Sequence, residues 1–179
     1  MRRPRELALL PLAFLAVLTI PCLASDPVAS LKMSRPPART IATPFELMAL
    51  DGTVVNSSEL AGKVVLVNFW ATWCGPCKEE MPSLARLQRQ LDPSRFAVLT
   101  VTTDLQRQGI AQYLFGLGIQ LPVLFDEDQE VSQAFMIRGL PTTVVIARDG
   151  TLIGRAVGPR PWDNPDVIAG LHQMMESDK

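Results

Sequence analysis

The run Lys63–Trp70, KVVLVNFW, is the segment that most narrows the folds open to this chain. After Lys63 every residue but Asn68 is apolar, and most are β-branched or aromatic. A strand with one wet face would alternate; a continuous run suits a central strand buried on both faces, as in sheets built from βαβ units. It leads straight into WATWCGPCKEEMP, after which Leu84, Leu87 and Leu91 recur at helical spacing. Pro76 suits a first helical turn, so the spacing predicts a helix over 76–91. Pro82 should kink it, because proline removes an internal hydrogen bond.

Further elements follow the same logic. Phe45–Leu50 alternates, and Asp51-Gly52 marks a turn before Thr53–Val55, which predicts a hairpin. Ser57–Leu60 reads as a single helical turn. Arg95–Val101 is a second strand, and Asp104 is placed to cap a helix running to Phe115. Pro122–Phe125 reads as a short strand and Gln129–Met136 as a short helix. Thr142–Ala147 and Thr151–Val157 flank Asp149-Gly150 as a closing hairpin, and Asp163 or Asn164 caps a last helix to Glu176. The expected class is α/β: a central mixed sheet with helices on both faces, an N-terminal hairpin and a β/α insertion near 104–125.

The ends carry different information. Arg2, Arg3 and Arg5 precede an apolar stretch, Leu7–Ile20, and Cys22-Leu23-Ala24 offers small residues for cleavage. Residues 1–24 are read as a signal peptide, with an uncleaved membrane anchor as the alternative. Residues 25–43, with Pro27, Pro36 and Pro37, are read as a Pro-rich linker, and 44–179 as the domain. Cleavage removes Cys22 and leaves Cys74 and Cys77 as an isolated pair in a chain of net charge −3. Acids and bases are mixed throughout, with no basic patch for nucleic acid.

What can two thiols do here? A structural zinc needs about four ligands, and the sole histidine, His172, lies far away on a helix. As a crosslink, a bridge over two residues closes too small a loop to stabilise much. A redox pair fits the position. At a helix N-terminus, unpaired N–H groups and the helix dipole favour a thiolate at Cys74. Cys77, one turn further in, is placed to resolve a mixed disulfide on Cys74. Gly75 offers no side chain to obstruct a docking partner.

VVLVNFWATWCGPCKEEMPSL resembles the active-site segment of thioredoxin-fold proteins, and among them the exported TlpA/ResA-like thiol:disulfide oxidoreductases, with a redoxin/AhpC-TSA-like domain. The resemblance extends from Pro44-Phe45-Glu46-Leu47 through Leu60–Lys63 and Arg138-Gly139-Leu140-Pro141-Thr142-Thr143 to Arg148-Asp149-Gly150. It implies a thioredoxin-like fold in which Pro141 is a cis-proline facing the Cys pair. Leu140 then offers backbone groups to an extended substrate, and Trp73, Gly75 and Pro76 complete the substrate surface. It also implies an acidic residue three after the second Cys. Residues i and i+3 share a helix face, so Glu80 lies beneath Cys77, placed to take its proton through water. Asn68 departs from cytosolic thioredoxins, which carry a buried Asp there; an amide cannot be a base, so that role falls to Glu80.

The Gly-Pro dipeptide resembles reducing thioredoxins, near about −270 mV, rather than oxidants near about −120 mV. The implied activity is reduction of disulfides in exported proteins, such as apocytochromes or copper-assembly proteins, in the periplasm. No cofactor is implied beyond the Cys74–Cys77 disulfide. The implied partners are protein disulfides and a membrane electron donor of the DsbD/CcdA type; the chain is expected to be a monomer, tethered to the membrane if its N-terminus is retained. Two alternatives are a peroxiredoxin-like peroxidase, whose P-x-x-x-T-x-x-C pattern is absent, with Asn68 where Thr72 would need a proline, and a non-catalytic binding or chaperone module.

Overall fold

A computed structural model describes residues 26–176; the expected signal peptide lies outside the described residues. The chain forms β1 (Glu46–Ala49), β2 (Val54–Asn56), a 3-10 turn (Ser57–Leu60) and β3 (Val64–Trp70). Next come α2 (Gly75–Gln90), β4 (Phe96–Thr102), α3 (Ile110–Gly116), β5 (Val123–Phe125) and α4 (Glu130–Ala134). It closes with β6 (Thr142–Ile146), β7 (Leu152–Val157) and α5 (Pro165–Glu176). A short helix, α1 (Pro27–Ser30), precedes them all.

One sheet runs in the order β2-β1-β5-β4-β3-β6-β7. β3, β4 and β5 are parallel, whereas β1, β6 and β7 pair antiparallel with their neighbours, so the sheet is mixed as expected. All seven residues of β3 are buried. Alternate residues serve opposite faces, as the pleat requires. Val64 and Leu66 pack with Leu84, Leu87 and Leu91 of the α2 region and with Leu171 and Met174 of α5. Val65, Val67 and Phe69 face the other way, with Phe45, Val131 of α4 and Phe135. A third cluster surrounds the end of β3: Trp70, Met81 and Ala85 of α2, and Ile110 and Leu114 of α3. α2 continues through Pro82.

Two expectations are corrected. From Asp26 on, the expected linker (25–43) is not free, and ordered structure does not begin at Pro44. Val28 and Leu31 are 3% and 1% exposed and belong to the core beside α5. The next residues form a strap along the outer edge of β7: Ser34 and Arg155 exchange backbone hydrogen bonds at 2.8 Å each, and Leu152 N–H donates to Thr40 O at 2.8 Å. Gly154 makes the close approach possible, since a Cβ there would lie 3.0 Å from Ser34 O and 3.2 Å from Met33 Cβ. A covered edge is also protected from pairing with another chain. Secondly, Asp104 caps no helix. Its carboxylate is taken by Thr72 and Thr102, and α3 begins only at Ile110, after Gly109.

Candidate active site

β3 ends at Trp70, and the chain turns through Ala71–Trp73 into α2. Asp104, from the end of β4, fixes this turn. Its carboxylate accepts from Thr72 N–H and Thr72 Oγ1 at 2.9 Å each and from Thr102 Oγ1 at 2.7 Å. Trp70 is fully buried and stacks on Tyr113 of α3 with ring centroids 6.0 Å apart.

Cys74 is the N-cap of α2, and its Sγ accepts from Cys77 N–H at 3.3 Å. Cys74 and Cys77 are joined in a disulfide. Their exposures are 5% and 0%, so the resolving position is the deeper one. Around them Gly75 and Pro76 are exposed and Trp73 stands 72% exposed. The Leu140–Pro141 peptide is cis. Thr142 pairs with Phe69, which places Pro141 at the end of the sheet where β3 runs into the cysteine turn. Leu140 packs against the cluster that contains both cysteines. The expected substrate surface is thus gathered on one end of the sheet.

Glu80 sits one turn beyond Cys77, 3% exposed. Its Oε1 accepts from Asn68 Nδ2 at 2.7 Å; its Oε2 accepts from Trp162 Nε1 at 3.0 Å and from Arg160 N–H at 3.2 Å. Burial pushes the Glu80 carboxyl above the ordinary carboxylate value, against the opposing pull of these donors and of the Arg160 charge. The donors keep it anchored, and its raised value suits it to hold a proton nearer neutrality than a solvated Glu. Asn68 Nδ2 also donates to Thr143 Oγ1 at 2.9 Å, while its Oδ1 has no hydrogen-bond partner. Glu79, the neighbour of Glu80 on α2, is exposed. A surface cleft of about 330 Å³, lined by Glu79, Ser83, Arg86, Arg160 and Asp163 among others, reaches Glu80.

Sequence reasoning missed three members of this arrangement. Trp162 donates its indole N–H to Glu80, a role its place in the sequence does not signal. Arg160 carried no signal, and Asp104 was assigned to the wrong element. A Trp among Pro and Gly ahead of a helix is the nearest thing to a cue for the first. His172 lies on a helix, α5, as expected, and is exposed there.

Comparison with known proteins agrees with this geometry. ResA of Bacillus subtilis, a thiol-disulfide oxidoreductase, is 31% identical over 114 residues, covering 64% of this chain and 64% of ResA. The chain therefore matches slightly less than two thirds of that relative's length. A crystal structure of a thiol:disulfide interchange protein of the thioredoxin family from Chlorobium tepidum is 31% identical, with a TM-score of 0.68 over 78% of this chain and 99% of the other. An exposed lipoprotein thioredoxin of Streptococcus pneumoniae is 26% identical, with a TM-score of 0.62 over 73% of this chain and 99% of the other. The Redoxin family model matches residues 31–171, which takes in the strap, the Cys pair and the cis-proline, and the chain belongs to that family.

Proposed function

We propose that this protein is a thiol:disulfide oxidoreductase that reduces disulfides of exported proteins outside the cytoplasm. The observation that carries the reading is the Cys74–Cys77 disulfide at the N-terminus of α2, bordered by exposed Trp73, Gly75 and Pro76. In the reduced enzyme the Cys77 N–H and the helix N-terminus favour a thiolate at Cys74. That thiolate attacks one substrate sulfur; a Cys74–substrate disulfide forms, the substrate S–S bond breaks, and the departing sulfur takes up a proton. Glu80 accepts the Cys77 proton through water. The Cys77 thiolate then attacks Cys74 Sγ, releasing the second substrate sulfur as a thiol. Two electrons have passed to the substrate, and the enzyme is left with its own disulfide.

Leu140 and Pro141 hold an extended substrate segment beside the reacting sulfurs. No cofactor takes part. A membrane donor of the DsbD/CcdA type returns the two electrons, and apocytochromes and copper-assembly proteins are the proposed substrates. The extracytoplasmic placement is supported by the signal-like residues 1–24 and by the likeness to an exposed lipoprotein thioredoxin. A Cys77→Ser variant should accumulate mixed disulfides on Cys74, whose captured partners can be identified by mass spectrometry. No captured partner in cells carrying candidate substrates, or a potential near about −120 mV rather than about −270 mV, would overturn the reductase assignment.

A further inference from the structure

Glu80 is held largely by one loop, between β7 and α5. That loop supplies Arg160 N–H and Trp162 Nε1 to the same carboxylate oxygen. The loop is in turn tied to the strap. Arg160 Nη1 donates to Leu31 O at 2.6 Å and to Lys32 O at 3.3 Å, at the point where Lys32 adopts φ +48° and ends the turn after α1. The guanidinium lies 5.2 Å over the Trp162 ring, so one side chain clamps strap and indole together. Ser83 completes the frame: its hydroxyl accepts from Trp162 N–H at 3.1 Å and donates to Glu80 O at 2.7 Å.

We propose that the N-terminal segment Asp26–Ser34 is part of the proton-handling site, with Arg160 as the positioning residue that joins it to Glu80. The chemical meaning rests on the reading of Glu80 as the proton acceptor. The consequence is regulatory: whatever pulls on or releases the strap, including attachment at its N-terminal side, alters the donors around Glu80 and hence the resolving step. A planar guanidinium can bridge two carbonyls while staying charged, which an ammonium does less well.

The charged groups facing Glu80 are few. From α2 come Glu79 and Arg86, with Cys77 titratable only once the disulfide is reduced; from the β7–α5 loop, Arg160 and Asp163. Arg86 and Asp163 pair with each other at 2.6 Å. β3 and β6 present only neutral Asn68 and Thr143. Arg160 is the cation whose charge opposes the effect of burial on Glu80.

The test uses the full chain with carbon-13-labelled glutamate. The Glu80 carboxyl is followed by NMR through a pH titration in wild type, Arg160→Met, Arg160→Lys and Leu31→Ala. Arg160→Met should raise the Glu80 midpoint by about half a unit or more, roughly a threefold loss of carboxylate at acid pH. Arg160→Lys should recover part of that shift. Leu31→Ala should raise it too, because the guanidinium follows the loosened strap away from Glu80. An unmoved midpoint in Arg160→Met, whatever its thermal stability, overturns the proposal. A shift there with none in Leu31→Ala leaves Arg160 acting by charge alone and overturns the role of the strap. Disulfide exchange by Glu80→Gln is measured alongside: an unchanged pH profile would reject Glu80 as proton acceptor, while the midpoints still decide the coupling.

Discussion

Replacing Trp162 with Phe separates a packing role from an electrostatic one. Trp162 is fully buried, and its indole N–H reaches Glu80 Oε2 at 3.0 Å. The smaller ring leaves a void, which costs on the order of 1–2 kcal/mol when neighbours relax in part. The lost hydrogen bond adds about 1.5–3 kcal/mol when the acceptor is ionised but only about 1 kcal/mol when it is neutral. Burial has already raised the Glu80 midpoint above its unfolded value. Ionising Glu80 therefore opposes folding: its contribution is favourable below the unfolded value and is lost as pH rises through the folded midpoint. Removing a donor to the carboxylate raises that midpoint again and deepens the loss at high pH. Urea unfolding of the oxidised proteins from about pH 4 to about pH 9 should show a deficit of about 2–3 kcal/mol at the acid end. The deficit should widen by roughly 1 kcal/mol or more as pH passes the wild-type midpoint. A deficit constant across the series would refute the electrostatic role and leave Trp162 as filler.

Two further outcomes test the strap and the cysteine turn. Gly154→Val should push the strap off β7, since even a Cβ lies 3.0 Å from Ser34 O. Hydrogen exchange at the Ser34 and Arg155 amides should accelerate, with a stability loss of about 1–3 kcal/mol by denaturant titration. Asp104→Ala strips the Thr72 N–H and two hydroxyls of their acceptor. It should cost about 1–3 kcal/mol and slow disulfide exchange several-fold in an insulin-reduction assay, with the Asn variant retaining part of the rate.

The elements next to the chemistry were legible because local pattern decides them. KVVLVNFW has no wet face to offer, so it had to be central, and a Cys-Gly-Pro-Cys after it had to open a helix. Glu80 came from the resemblance, and i, i+3 spacing placed it beneath Cys77. The misses share a different cause. Val28, Leu31 and Met33 are scattered among Ser, Arg and Pro with no period, and their burial comes from a groove made by α5 and by the bare backbone of Gly154. Arg160 and Trp162 meet Glu80 across 80 and 82 residues, a separation that no window along the chain can span. At Asp104 the local rule was sound, but Thr72 and Thr102 outbid the helix for the carboxylate.

Asn68 was first notable for what it lacks, a proton to give or take. Its unpartnered Oδ1 has a consequence for the two states of Glu80. With the carboxylate charged, Nδ2 faces Glu80 Oε1 at 2.7 Å and Thr143 Oγ1 at 2.9 Å. A half-turn of the amide would bring Oδ1 to that spot, able to accept from a protonated Glu80, with the Thr143 hydroxyl reversing to donate. That orientation costs something, since both Nδ2 hydrogens then point where Oδ1 now has no partner. A carboxylate at position 68 would instead repel Glu80 at this distance. The amide can meet either state of Glu80 without adding a charge to the pocket, and it favours the ionised one, because only in that orientation is Nδ2 fully engaged.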